Sequence, residues 1–404
     1  MLYRIFRESR STLFYVLTLC LLIVLFNGFN FLLWYEFVQN RYYLALYVVA
    51  LLFFLLYIND KQFKGSYFYG YLKFLFLWPM IPTFISLLYG CDLITSLISI
   101  LGWTFSSMMF LYYKKFQINE ESLITILTIM GTITAIIQIY QQINPEFAVF
   151  GIFNDDMQDR YGELSEIRNG LYRFKVGCAM LQMLCFFYYF DKVTQKITII
   201  NIVFFVLFTV SIYLYLTRQI MVAVGCSCLY LLYYKFKNSK VNTKLLVFVF
   251  SVSLFLLGSI YWDNLFGSLI GDYQEDTHTT DIRFDFIQWI LSYYSENFLT
   301  CLFGHGPDAF QYALRKRDYH LADIGFLGES YYYGLIWGFV YIGMIYKIFT
   351  KCFKAIPLYL KLFFISSTII SIFIFPYTNR PTMVTWVSVL YLSDLYLSNN
   401  IKVK

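Results

Sequence analysis

A chain of 404 residues could form two or three soluble domains, but 59% of its residues are hydrophobic and only 14% are charged, against about 25% charged in a soluble domain. That leaves too little polar surface to solvate a globule of this size, and a mean hydropathy of +0.60 excludes the soluble class. The formal net charge is +6, and its placement along the chain carries more information than its size.

Apolar runs of about 20 residues, enough to cross a ~30 Å hydrocarbon layer, recur from end to end. They predict an all-α polytopic membrane protein with about twelve spans, at 12–34, 42–58, 70–89, 93–113, 122–143, 174–190, 197–216, 219–234, 245–262, 327–346, 357–376 and 382–399. The first span follows Arg4, Arg7 and Arg10 and is too long for a signal peptide, so it is expected to stay as an anchor. Alternate connections are lysine-bearing: Lys61/Lys64, Lys114/Lys115, Lys192/Lys196, Lys235/Lys237/Lys240, Lys347/Lys351/Lys354 and Lys402/Lys404. Positive residues stay on the cytoplasmic side, so both termini are expected there. Residues 1–404 then form one membrane domain with two long outward connections, 144–173 and 263–326, the second carrying amphipathic helices. Cys20, Cys91, Cys178, Cys185, Cys226, Cys228, Cys301 and Cys352 fall mostly inside apolar runs and read as small apolar residues, without a disulfide framework.

The basic residues sort by type as well as by side. Of 19 lysines, all but Lys175 and Lys316 lie at or near the cytoplasmic face, whereas nine of 12 arginines fall outside: Arg41, Arg160, Arg168, Arg173, Arg218, Arg283, Arg315, Arg317 and Arg380. Outward positive charge opposes the insertion bias, so it needs a compensating use. A guanidinium offers a planar fork of donors that grips phosphate oxygens bidentately, and the set points to an anionic, phosphate-bearing ligand at the outer leaflet.

Three arginines stand out. Arg173 lies in Tyr172-Arg173-Phe174 at the entry to a span. Arg218 occupies a very short hairpin, Thr217-Arg218-Gln219, where a charge so near hydrocarbon is costly unless it snorkels or finds a partner. Arg283 falls on the apolar stripe of an expected helix over 281–298, with Ile282, Phe286, Ile287, Ile290, Tyr294 and Phe298. Interfacial snorkelling is the bland reading of each. Further along, Gly304 and Gly306 in Leu302-Phe303-Gly304-His305-Gly306-Pro307 mark a tight turn, after which Asp308 is placed to cap a short basic helix through Arg317. The three histidines His278, His305 and His320 all lie in this connection, at spacings that match no metal-ligand pattern. His320 or Asp323 is the candidate general base, although Asp323 equally suits a helix cap.

The order of these pieces resembles the bacterial O-antigen polymerase and O-antigen ligase superfamily. The resemblance rests on Arg173 before a mid-chain span, the Thr217-Arg218-Gln219 hairpin, and an outward connection opening with Arg283 and Trp289. It continues through Leu302–Phe310 and Asp323–Gly338, and so runs over roughly 173–337. It implies a C-type glycosyltransferase-like bundle and an inverting, metal-independent enzyme with no cofactor, acting on undecaprenyl-diphosphate-linked glycans at the periplasmic face of the bacterial inner membrane. The implied partners are that lipid-linked glycan, membrane lipids and a chain-length regulator protein, with no nucleic acid. Arg218 and Arg283 would bind diphosphate oxygens with Arg173 assisting, and Arg283, His320 and Asp323 would form the catalytic set. The ligase branch shows a His-Asn pair a little over ten residues before the glycine corresponding to Gly334. Here Asp323 and Ile324 stand in that register, which favours the polymerase branch. A lipid-linked oligosaccharide flippase or transporter is the rival class. It would show repeated halves or charges at mid-membrane depth, and the expected span interiors are nearly free of charge.

Overall fold

The structure is a computed structural model that describes residues 15–16, 18–30, 66–88, 106–151, 167–168, 171–172, 174, 176–215, 217–238, 285–292, 294, 298–306, 324–373 and 380–402. These are almost entirely helical. In chain order the helices are α1 (Tyr69–Leu77), α2 (Met80–Leu88), α3 (Met109–Phe116), α4 (Glu120–Ile143), α5 (Ala179–Gln195), α6 (Ile199–Leu214), α7 (Arg218–Asn238), α8 (Phe298–Phe303), α9 (Gly325–Lys347), α10 (Leu358–Phe373) and α11 (Arg380–Lys402). Unlabelled helical stretches cover most of 15–25 and 285–292. A short antiparallel hairpin pairs Ile167–Arg168 with Leu171–Tyr172.

Three stretches are long and apolar enough to cross a membrane: Tyr69–Leu88, Glu120–Ile143 and Gly325–Cys352. Ile199–Leu214, Gln219–Leu231 and Leu358–Ile372 are shorter apolar helices. The expected spans 42–58 and 245–262 lie outside the described residues. The first expected span, 12–34, is interrupted: Gly28 (φ 54°) and Phe29 (φ 62°) adopt left-handed backbone, which an α-helix cannot continue through.

The pattern of burial fits a helix bundle in lipid. Ile199, Ile200, Val203 and Val206 on α6 are 81%, 67%, 57% and 51% exposed, a row of aliphatic side chains that water would penalise and lipid would not. The polar side chains turn inward instead. Ser227 on α7 meets Ser366 on α10 at 2.6 Å, and Ser366 donates to the Ala223 carbonyl at 3.0 Å. Small hydroxyl residues allow such close approach between helices in lipid. At the centre is α5, buried without interruption from Met180 to Phe187 and packed against α4, α6, α10 and α11. Gly131 lets α4 come close to it, since a Cβ there would stand 2.9 Å from the Cys185 sulfur. The Gly131 carbonyl accepts from Gln182 Nε2 at 2.9 Å.

The helices have chemically distinct ends. At one, Lys114 of α3 pairs with Asp394 of α11, whose other oxygen accepts the Tyr67 amide at 2.6 Å. Lys347 of α9 donates to the Tyr67 carbonyl at 3.2 Å and lies 3.8 Å from the Tyr67 ring centroid. Glu120 accepts from Tyr359 at 2.9 Å and Tyr396 at 2.5 Å. The opposite end of α11 begins at Arg380, and the opposite end of α5 follows Arg173, so lysine-bearing and arginine-bearing ends lie at opposite ends of these helices.

The helix expected over 281–298 is shorter than its periodicity indicated. Phe286 and Ile290 are buried, with Ile287 and Tyr294 packed beside them. Phe298 instead opens the separate helix α8 and is 68% exposed, so the 3.6-residue phase does not carry across to it.

Candidate functional site

At the arginine-bearing end, four segments converge on residues 172–178. α4 runs out of apolar sequence at Gln141-Gln142, and both amides turn to the backbone that follows. Gln141 Oε1 accepts from Val149 N at 3.1 Å and Phe150 N at 2.8 Å, while its Nε2 donates to Phe150 O at 2.9 Å. Gln142 does the same for Tyr172: its Oε1 accepts from Tyr172 N at 3.2 Å and its Nε2 donates to Tyr172 O. A primary amide that pairs with both polar atoms of one residue mimics a strand partner and satisfies both backbone groups. Tyr172 is the residue immediately before Arg173.

The far side of the same segment is held by α6. Tyr215, at the C-terminal end of α6 and 5% exposed, donates its hydroxyl to the Val176 carbonyl. Two residues later Thr217 immediately precedes α7, its carbonyl accepting from Ile220 N and Met221 N at 3.1 and 3.2 Å. Arg218 is the first residue of α7. Gly177 (φ +64°) then turns the chain into α5, closely apposed to α4, where a Cβ would stand 2.8 Å from Thr134 Oγ1. Gly177 N donates to Phe29 O at 3.2 Å.

The fourth segment is the start of α11. Cys178, the N-cap of α5, places its sulfur 3.6 Å from Thr382 Oγ1 and 3.9 Å from Thr385 Oγ1. Arg380 lies two residues before Thr382. Three separate stretches of chain, bearing Arg173, Arg218 and Arg380, therefore meet around the N-terminus of one buried helix. Such an end carries partial positive charge that favours an anion.

Of the sequence-predicted site residues, Arg218 has a described backbone position, at the head of α7. Arg173, Arg283, His320 and Asp323 lie outside the described residues, as do Asp308 and the short basic helix expected through Arg317. Their flanks are informative. Arg283 precedes the 285–292 helix, which packs on Ile324 and Tyr331. The N-cap of α9 is Ile324, without a side-chain capping hydrogen bond.

Gly304 and Gly306 form a turn with φ +87° and +80°, docked on a break in α9. At Gly334 the backbone takes φ 84°, ψ 158°, a region essentially reserved for glycine. The break leaves the carbonyls before it without helical partners. His305 N donates to Tyr331 O at 3.3 Å, Gly306 N to Tyr332 O at 3.0 Å, and Trp78 Nε1 to Tyr333 O at 2.6 Å. Within membrane depth, non-helical backbone persists only where protein groups satisfy it in this way. The fit is tight: a Cβ on Gly334 would stand 2.2 Å from Leu302 O, and one on Gly304 would stand 2.3 Å from Tyr332 O. The His305 ring stacks on Tyr331 at 4.5 Å and 4°, and burial pushes its pKa down to about 4, with its hydrogen bond to Tyr331 partly opposing. It is a neutral packing group at pH 7.

Residues 203–330, from within α6 to the second turn of α9, match the family described as O-antigen ligase. The family segment takes in Arg218, Arg283, the Gly304–Gly306 turn, His320 and Asp323, whereas Arg173 and Arg380 lie outside it. No curated protein and no solved structure is significantly similar to the chain. Its long apolar helices mark the protein as an integral membrane protein.

Sequence reasoning missed Gln142, Tyr215 and the junction of α5 with α11. Gln141-Gln142 ending an otherwise apolar run was a readable signal for buried amides. Tyr215 is one of 38 tyrosines, and nothing local distinguishes it.

Proposed function

We propose that the protein polymerises undecaprenyl-diphosphate-linked oligosaccharide repeat units at the outer face of the bacterial cytoplasmic membrane, producing O-antigen or a related capsular or secreted polysaccharide. The supporting observation is the convergence of the Arg173, Arg218 and Arg380 segments on the head of α5, with the Arg218 segment inside an O-antigen ligase-family match. Residues 144–173 and 263–326 are the outward connections in this reading, and both termini are cytoplasmic.

In the reaction the acceptor hydroxyl attacks the anomeric carbon of the lipid-linked sugar. The bond to the diphosphate oxygen breaks with inversion, and the electron pair leaves on the undecaprenyl diphosphate. The departing diphosphate gains negative charge. Guanidinium groups fixed in a low-dielectric site stabilise that charge more than water does, because they need no reorganisation as it develops. Arg218 and Arg283 hold the diphosphate with Arg173 assisting, and His320 or Asp323 takes the acceptor proton. No metal or cofactor is assigned to any step. The Gly304–Gly306 turn, stapled to Gly334, anchors the connection that carries Arg283, His320 and Asp323.

A ligase-type transfer to a different acceptor is the second reading, favoured by the description of the matched family. One assay separates them. Purified protein is given a polyprenyl-diphosphate repeat unit alone, and glycan length is followed. A ladder of longer lipid-linked glycans supports polymerisation. Product formed only when a distinct acceptor is added selects the ligase reading. Movement of the unchanged lipid across vesicles, without new glycosidic bonds, refutes both and indicates a flippase.

A further inference from the structure

A bidentate grip on a diphosphate requires its cations to keep their separation to within a fraction of an ångström. Arg173 lies in a short segment between the 167–172 hairpin and α5, and Arg218 lies on a hairpin between two lipid-exposed helices. Neither setting alone fixes that separation. The segment 172–176 is clamped at both ends by side chains that carry no charge. Gln142 holds both backbone polar atoms of Tyr172, one residue before Arg173. Tyr215 holds the carbonyl of Val176, three residues after Arg173 and three before Arg218. Phe174 N adds an internal bond to Tyr172 O at 3.2 Å, and the Tyr172 and Phe174 rings stack at 5.8 Å. Tyr215 therefore ties the Arg173 segment directly to the element that launches Arg218.

We propose that Gln142 and Tyr215 are positioning residues: they tie the backbone before and after Arg173 to α4 and α6, and so set the register between that stretch and the start of α7 on which binding of one lipid diphosphate depends. This rests on the glycosyl-transfer reading above. It assigns a catalytic consequence to two neutral side chains, one of which, Gln142, lies outside the family-matched segment. Their roles differ. Tyr215 sets the distance between the two cation-bearing elements, whereas Gln142 sets the direction in which the chain enters Arg173.

The test is a double-mutant cycle on full-length protein in lipid vesicles, with an undecaprenyl-diphosphate repeat unit as substrate. Tyr215→Phe removes only the hydroxyl, and Gln142→Leu removes both amide bonds at similar volume. Because the two variants act on opposite ends of the segment, loss of folding in one leaves the other to carry the test. Each is expected to lower kcat/KM by about 10- to 100-fold, the scale of loss from a displaced group, in excess of any change in thermal stability. Placed on Arg173→Ala, each should cost less than about twofold further, since the cation being positioned is already gone. The thermal shifts should stay the same in both backgrounds. Full additivity with Arg173→Ala, or activity losses that merely track the thermal shifts, overturns the positioning role and leaves the glycosyl-transfer reading intact. Transfer at the parent rate by both Arg173→Ala and Arg218→Ala overturns the glycosyl-transfer site itself, and the inference with it.

Discussion

The two ends of the helix bundle solve opposite problems with different chemistry. At the lysine-bearing end, charges close on each other: Asp394 is 3% exposed, pairs with Lys114 and accepts the Tyr67 amide, while Lys347 lies over the Tyr67 ring. At the arginine-bearing end the contacts that hold the backbone are neutral. Gln141, Gln142 and Tyr215 bind backbone, and Cys178 meets two threonine hydroxyls. A buried pair neutralises itself and holds helices together. At the other end neutral hydrogen bonds fix the backbone that carries the arginines. The first end therefore reads as structure, and the second carries the proposed anion site.

Substitutions at the two ends should accordingly fail in different ways. The largest effect belongs to the joint that carries the family-matched connection. Gly334→Ala places a Cβ 2.2 Å from Leu302 O in a glycine-only backbone region, and a loss of at least about 4 kcal/mol is expected. It should be seen as a lowered unfolding midpoint and as faster proteolysis of 263–326. Next, Arg218→Lys keeps the charge and removes the fork, and should lower transfer by about 100-fold or more with normal membrane insertion. Full activity in that variant would refute bidentate phosphate binding. Asp394→Asn should cost about 3 kcal/mol by leaving Lys114 without its buried counter-charge. Transfer per folded molecule should be unchanged, and a specific loss of kcat would erase the distinction between the ends.

The smallest effect is a pH dependence. The His305 pKa is depressed from 6.5 to about 4 in the folded protein, so on acidification the unfolded chain takes up this proton first. His305 therefore contributes a loss of stability as pH falls from about 6.5 towards about 4, and no further loss below that. His305→Gln should flatten this part of the stability profile, and an unaltered profile would show that the imidazole is not held neutral by burial.

Much of the fold was legible because lipid imposes a simple rule: a spanning helix must be apolar along its length. The expected boundaries 122–143 and 327–346 fall close to the helices Glu120–Ile143 and Gly325–Lys347. The break after Arg218's short hairpin was equally clear, since Thr217-Arg218-Gln219 interrupts an apolar run and α7 begins at Arg218. The interruption at Gly28-Phe29 was not legible. Phe29 has left-handed φ, an uncommon state for a bulky residue that tertiary contacts must hold. The exposure of Phe298 escaped notice for a related reason, because periodicity counts residues and cannot see where one helix stops and the next begins.

The sequence by itself determined that this is a membrane-embedded helical protein whose lysines and arginines are sorted along the chain, and it placed the arginines, the glycine turn and the family motifs in order. Those are properties of residue type and spacing, read by solvent and bilayer one segment at a time. Only the tertiary structure decided that the Arg173, Arg218 and Arg380 segments share one helix end, that Gln142 and Tyr215 clamp the first of them, and that Gly304 docks on a break at Gly334. Each is a contact between residues far apart in sequence, set by which backbone groups lose water together and must find partners in one another.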